Sequence, residues 1–212
     1  MNEALENKKV NVIAIILTII ISIGFAWAIW QLSGLHSKQE TLARSGIQAN
    51  ELAAFRYLKR IAAAQEEYKD KDWDGDGRKV YAMFYVHLWK SVTAQGEPIA
   101  VGLIPKRLGF AMDNSNPLGG YYFMDLRKRV LENRIRRDFD YGREWGAAAI
   151  PGTRGRSGVL TFVIDQSRAI YATSTFHIEP EYPFAPERNG WTKISTIKEL
   201  KDFQKKVNYP VE

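Results

Sequence analysis

Four aspartates alternate with other residues in a short polar segment, and this spacing is typical of a calcium loop. The segment reads DKDWDGDG over positions 70–77, and its carboxylates belong to Asp70, Asp72, Asp74 and Asp76. Alternate oxygen ligands that close on a glycine can curl around one hard cation such as Ca²⁺. The twelfth position of an EF-hand loop would carry a bidentate glutamate, whereas here it is Tyr81 or Met83. The sequence therefore predicts at most a partial calcium site, and the alternative is a polar turn that ends a helix.

Six basic side chains lie close together in the sequence and form a candidate binding cluster for anionic groups. They are Arg127, Lys128, Arg129, Arg134, Arg136 and Arg137. Such a cluster attracts lipid phosphate headgroups or the carboxylates of an acidic partner protein. The alternative is a solvated loop or a short helix, and it is favoured because no other motif converges on this segment.

No motif for catalysis stands out in the chain. The three histidines, His36, His87 and His177, lack the spacing of metal ligands, and neither a G-x-S-x-G elbow nor a glycine-rich phosphate loop is present. The chain has no cysteine, which excludes disulfides, thiolate metal sites and a cysteine nucleophile. We therefore expect no enzymatic activity, no small-molecule substrate and no cofactor apart from the calcium of the aspartate loop.

An uncharged apolar run from Val10 to Leu32 predicts a transmembrane helix. At a helical rise of 1.5 Å per residue it is about 35 Å long, enough to cross a hydrocarbon core of about 30 Å. The side chains expected to anchor it in the membrane are Ile13, Ile16, Ile20, Phe25, Trp27 and Trp30. A cleaved signal peptide is the alternative, because Ala26-Trp27-Ala28 fits a cleavage pattern. The run continues beyond that pattern, so we expect a retained signal anchor.

The predicted anchor divides the chain into four segments. Residues 1–9 form a short cytoplasmic N-terminus, 10–32 the anchor, 33–50 a stalk helix and 51–212 an extracytoplasmic domain. Lys8 and Lys9 lie beside the anchor and favour a cytoplasmic N-terminus. We therefore expect a single-pass protein of the bacterial inner (cytoplasmic) membrane with a periplasmic C-terminal domain. The net charge of +6 is mild, and no nucleic-acid partner is expected.

The residues after the anchor alternate between helical and strand patterns. Apolar residues at three- and four-residue spacing predict a long amphipathic helix over 37–68. A short helix is expected at 80–92 and a C-terminal helix at about 196–207. Aromatic and β-branched residues predict strands at 120–126, 145–151, 159–165 and 169–173. The expected fold is α+β, with a single N-terminal transmembrane helix that continues into a long helix packed on a small antiparallel sheet.

This order of elements resembles type IV pilins and the major pseudopilins of type II secretion. More closely, LKRIAAAQEEY at 58–68 and DGDG at 74–77 resemble uncharacterised secreted or pilin-like bacterial envelope proteins of unknown function. GYYF at 120–123, AIP at 149–151 and SGVLTFVID at 157–165 extend the likeness. One departure is that Gly24-Phe25 lies deep in the apolar run and Ile29 stands where pilins carry a glutamate. We therefore expect a pilin-like domain on a permanent anchor and not a pilus subunit.

The resemblance implies a structural role. The leading hypothesis is a membrane-anchored, extracytoplasmic structural or assembly protein whose pilin-like domain binds other proteins. One alternative is an accessory subunit of a larger membrane protein complex, and another is a calcium-dependent, pseudopilin-like secretion component. The expected partners are the lipid bilayer and other proteins of the envelope or of a membrane complex.

Overall fold

The computed structural model describes residues 41–73, 75–175 and 181–209, together with Phe25 and Trp27. The chain divides between Ala43 and Arg44 into two units. The first unit, Met1–Ala43, lies mostly outside the described residues. The fold described below is therefore that of the second unit, which begins at Arg44.

The longest described helix, α1, covers residues 41–71. Leu58 and Ile61 are fully buried. Their neighbours in the sequence, Arg56, Lys59 and Arg60, are exposed. This alternation gives the helix one apolar face, as the three- and four-residue spacing predicts. The next residue, Asp72, has a φ of 44°, which lies in the left-handed region and stops the helix after residue 71.

The predicted fold class was wrong in its membrane-spanning part. Within the described residues, no helix is both long enough and apolar enough to cross a membrane. Helix α1 has one buried apolar face and an opposite face with exposed charged residues such as Arg56, Lys59 and Arg60, which is the pattern of a helix that packs on a domain core. The predicted span at 10–32 lies outside the described residues except for Phe25 and Trp27, which are helical and exposed. Ile13, Ile16, Ile20 and Trp30 are among the residues that are not described.

In the described part of the chain, ten strands follow α1. In order they are β1 (Lys90–Val92), β2 (Pro98–Ala100), β3 (Tyr121–Asp125), β4 (Lys128–Val130), β5 (Arg136–Asp138), β6 (Gly146–Pro151), β7 (Thr161–Asp165), β8 (Ile170–Thr173), β9 (Glu181–Tyr182) and β10 (Thr192–Ile194). A short helix, α2 (Lys106–Gly109), precedes β3, and α3 (Ile197–Lys206) follows β10. The Thr196 hydroxyl accepts a hydrogen bond from the Glu199 N–H and caps α3.

The main sheet has five antiparallel strands in the order β10-β8-β7-β6-β3. The strand predictions at 120–126, 145–151, 159–165 and 169–173 are confirmed by β3, β6, β7 and β8 of this sheet. The predicted C-terminal helix is confirmed by α3. Both faces of β6 and β7 are buried. This is why the alanine-rich β6 shows no polar alternation in its sequence.

Alternate residues of the main sheet enter two separate apolar clusters. Phe123, Ala149 and Phe162 join the larger cluster beneath α1, where the Tyr57 and Phe123 rings meet edge to face at 5.8 Å. Ala148 and Val163 join the smaller cluster on the opposite face. The period of two along each strand therefore places α1 on one face and a second layer on the other.

The second layer is a three-stranded sheet in the order β5-β4-β9. Strands β4 and β5 form an antiparallel hairpin, and β9 pairs with β4 in parallel. The segment 127–137, which the sequence favoured as a loop or short helix, thus contains strand residues at 128–130 and 136–137, on either side of a 3-10 turn at Glu132–Arg134. The short helix expected at 80–92 is also only partly present, because one 3-10 turn at Tyr85–Leu88 is followed directly by β1.

Candidate functional site

The aspartate loop follows the end of α1, and two of its carboxylates bind the loop itself. Asp72 Oδ2 accepts a hydrogen bond from the Gly77 N–H at 3.1 Å. Asp76 accepts hydrogen bonds from the N–H and the side chain of Arg78, whose guanidinium lies 2.7 Å from Asp76 Oδ2. Asp70 is exposed at the end of the helix, and Asp74 lies outside the described residues.

These contacts are those of the polar turn that was the alternative to a calcium site. In the described part of the chain, no group of three or more histidine, cysteine, aspartate or glutamate side chains is placed to hold a metal. Because Asp74 is not among those residues, calcium binding by this loop stays a prediction.

The structure places the six basic residues on and around the β4–β5 hairpin, and three of them form internal ion pairs. Arg136 Nε lies 2.6 Å from Glu181 Oε1, and Arg137 Nη2 lies 2.6 Å from Glu144 Oε2. Arg129 is the most deeply placed of the six, with its Nη2 2.7 Å from Asp165 Oδ2. These three charges are therefore largely neutralised within the domain.

The guanidinium of Arg129 also lies between two aromatic rings. Its Cζ is 4.6 Å from the centre of the Tyr182 ring and 5.2 Å from that of Phe139. The Arg129 and Asp165 side chains are 18% and 6% exposed. This arginine connects the small sheet to the turn after β7, and its position is structural.

Arg127, Lys128 and Arg134 are the exposed members of the basic cluster that have no ion-pair partner among the described residues. Arg127 lies over the Phe84 ring at 5.6 Å. Arg134 lies at the tip of the β4–β5 hairpin, where Asn133 and Arg134 both have a φ of 60°. Such left-handed backbone is unusual for residues other than glycine and is found in tight turns.

Arg134 borders a cavity of about 530 Å³ between the hairpin tip and the segment 183–191. We call it the hairpin cavity, and its lining residues are Val130, Leu131, Asn133, Arg134, Arg136, Glu181, Pro183, Phe184, Asn189 and Trp191. Ile135 beside it is 60% exposed, and Phe184 across it is 37% exposed. The cavity therefore combines exposed apolar side chains with a guanidinium that has no carboxylate partner in the described part of the chain.

A second cavity, of about 310 Å³, lies at the free edge of β3. We call it the edge cavity, and its lining residues are Phe84, Met112, Phe123, Met124, Asp125 and Arg127. Asp125 Oδ1 accepts a hydrogen bond from the Tyr85 N–H at 2.8 Å. Burial raises the pKa of Asp125 to about 7, despite the opposing effects of this hydrogen bond and of the Arg127 charge.

The sequence predictions missed the most deeply buried carboxylate of the described residues, Glu51 on α1. It is fully buried, and it accepts hydrogen bonds from the N–H groups of Val159 and Leu160 and from the side chains of Gln204 and Tyr209. Burial, followed by the charge of Glu51, raises the pKa of the Tyr209 hydroxyl above its usual range. Its four donors come from two distant segments, so no local motif could have revealed it.

Asp125 was missed for a different reason. It lies in the strand predicted at 120–126, and Arg127 follows it two positions later. Residues two apart on a strand share one face, so this spacing was the available signal for a pair of opposite charges at one site.

Together these features define a class of protein: an α+β domain with a helix packed on an antiparallel sheet, buried charges in structural roles, and surface cavities that include the hairpin cavity and the edge cavity. The chain belongs to the family described as "Protein of unknown function (DUF2950)", whose model matches residues 15–175. No curated protein and no solved structure matches the chain.

Proposed function

We propose that this protein is a non-catalytic interaction protein that binds a partner protein at the hairpin cavity. The partner segment would present an acidic residue to Arg134 and an apolar side chain to Phe184 and Ile135. The role of the protein is then structural or assembly-related. Its location in the bacterial envelope stays a prediction from the sequence.

The observation that carries the proposal is the contrast between Arg134 and its neighbours. Arg129, Arg136 and Arg137 each have a carboxylate within 2.7 Å. Arg134, on the same hairpin, has none among the described residues. An exposed guanidinium beside exposed apolar side chains suits a carboxylate that arrives with an apolar neighbour, because arginine and large apolar residues are common anchors in interfaces.

The proposed absence of catalysis is supported by how two buried carboxylates, those of Glu51 and Asp165, are used. Glu51 accepts four hydrogen bonds from neutral donors, and Asp165 pairs with Arg129. Neither group is left with an unused acceptor position that faces a cavity. A general acid or base must reach its substrate, so both carboxylates are poor candidates for that role.

Site-specific photocrosslinking in the native host tests this proposal. A benzoylphenylalanine is placed at Ile135 and, as a control, at Ile197, which is 38% exposed on α3. We expect a crosslinked partner from position 135 that is absent from position 197 and is lost in Arg134→Glu. Mass spectrometry should locate the crosslink beside an aspartate or glutamate of the partner. A crosslink that survives Arg134→Glu, or that maps to a basic segment, would contradict the proposal.

A further inference from the structure

The edge cavity holds two opposite charges that are not paired with each other. Asp125 and Arg127 both line it, and no ion pair joins their side chains. The residue between them, Leu126, is buried in the cluster on the other face of the sheet. The alternation along β3 therefore places both charged side chains on the same side, at the end of an edge strand.

Each of the two groups keeps hydrogen-bonding capacity for a ligand. Asp125 uses Oδ1 for the Tyr85 N–H, and its Oδ2 accepts no hydrogen bond from the described residues. Arg127 contacts the Phe84 ring with one face of its guanidinium, and in the described part of the chain its N–H groups donate to no acceptor. A guanidinium is a forked donor that matches the two oxygens of a carboxylate. Asp125 in turn can accept a hydrogen bond from an ammonium group.

The other walls of the cavity are apolar. Met112 is 38% exposed, and Met124, Phe84 and Phe123 complete the lining. Methionine side chains are flexible and polarizable, so they adapt to apolar groups of different shapes. A volume of about 310 Å³ is at the lower end of the range for small-molecule sites.

We propose that the edge cavity binds a small apolar α-amino acid. Its carboxylate binds the Arg127 guanidinium, its ammonium group binds Asp125 Oδ2, and its side chain packs against Met112 and Phe84. A free amino acid fits better than a longer peptide because the volume is small. This site shares no lining residue with the hairpin cavity, so the two proposals are tested independently.

The experiment uses the full-length protein labelled with ¹³C at the methionine methyl groups. The chain has four methionines, so each signal can be assigned by Met→Leu substitution. L-leucine is titrated first, followed by leucine amide, which lacks the carboxylate, and 4-methylpentanoate, which lacks the ammonium group. The three ligands test the two charged contacts on the unmodified protein, so the result does not depend on whether a variant folds.

We expect a saturable shift of the Met112 signal with L-leucine, with a dissociation constant on the order of 1 mM or lower. Both analogues should bind at least about tenfold more weakly, as should Arg127→Gln and Asp125→Asn. Lys193→Gln, on β10 at the opposite edge of the sheet, removes one exposed positive charge and should leave binding unchanged.

Three results would overturn the assignment. One is the absence of any shift of the Met112 signal at L-leucine concentrations on the order of 10 mM. Another is an analogue that binds as tightly as leucine. The third is wild-type affinity in both Arg127→Gln and Asp125→Asn.

Discussion

The Tyr209 hydroxyl donates a hydrogen bond to Glu51 Oε2 at 2.7 Å, although the two residues are 158 positions apart in the chain. Gln204 donates to the same oxygen, and the N–H groups of Val159 and Leu160 donate to the other. One buried carboxylate thus connects α1, the start of β7 and the segment around the end of α3. Its removal should affect all three.

We expect Glu51→Ala to lower the free energy of unfolding by about 3 kcal/mol or more. The substitution leaves two backbone N–H groups and two side-chain donors without an acceptor in the core. Urea unfolding measures the change. Glu67→Ala is the matched control, because Glu67 lies on the same helix in an exposed pair with Lys71. Its effect should stay within about 0.5 kcal/mol, and equal effects of the two variants would refute the assigned role of Glu51.

The second prediction concerns the buried pair of Arg129 and Asp165. Arg129→Met should destabilise the protein by about 3–5 kcal/mol, because it leaves the Asp165 carboxylate buried without its cation. In an Asp165→Asn background the same substitution should have a clearly smaller effect, and a double-mutant cycle measures the difference. Arg137→Met serves as the control, because the Arg137–Glu144 pair is more exposed and should contribute no more than about 1 kcal/mol. Additive effects of the Arg129 and Asp165 substitutions would show that the pair is not coupled.

The third prediction follows from the pKa of Asp125, which burial raises from 3.8 to about 7. Between these two pH values the folded protein holds a proton that the unfolded chain has lost, so stability falls as the pH rises from about 4 to about 7. Asp125→Asn cannot ionise and should not show this loss. We expect the variant to match the wild type near pH 4 and to exceed it in stability above pH 7, by about 4 kcal/mol at most.

Asp202→Asn provides a control of opposite sign. The hydrogen bond and charge of Lys205 lower the pKa of Asp202, so its contribution is present at neutral pH and is lost as the pH falls through its folded pKa, below 3.8. Thermal melts of the three proteins from about pH 2 to about pH 8 cover both transitions and separate the two behaviours. A constant difference between wild type and Asp125→Asn at every pH would contradict the raised pKa of Asp125.

The fourth prediction concerns Gly158, which lies against the buried Tyr121. A Cβ at position 158 would overlap the Tyr121 hydroxyl, which donates a hydrogen bond to the Leu160 carbonyl. We expect Gly158→Ala to destabilise the protein by about 2–3 kcal/mol, as in an overpacked core. At Gly96, where φ is +88° and no other atom is near, alanine adds only backbone strain of about 1 kcal/mol. A smaller effect at Gly158 than at Gly96 would argue against close contact with Tyr121.

The fifth prediction is calcium binding by the aspartate loop. If Asp70, Asp72, Asp74 and Asp76 hold the ion, calcium should raise the melting temperature, and Asp74→Asn should reduce that rise. Magnesium at the same concentration controls for ionic strength. A melting temperature that does not respond to calcium would leave the loop with the turn role that its contacts to Gly77 and Arg78 already support.

Part of the fold follows from local patterns. The apolar spacing around Leu58 predicted α1, and the aromatic and β-branched runs predicted β3, β7 and β8. Such patterns are visible in the sequence because the apolar residues of one buried face recur at a short, regular spacing. The segment 127–137 was harder to predict. Its many arginines resemble a solvated loop, but three of them pair with carboxylates that come from other segments of the chain.

The candidate sites show the same division. Composition and motif spacing alone excluded cysteine chemistry, identified the aspartate loop and located the basic cluster, since these depend only on which residues are neighbours in the chain. Only the tertiary structure decided that Arg134, among the described residues, lacks a carboxylate partner like that of Arg136. It also decided that Glu51 accepts hydrogen bonds from four donors and that Asp125 and Arg127 face one cavity. Hydrogen bonds, ion pairs and desolvation depend on distances between segments far apart in sequence, and folding alone sets those distances.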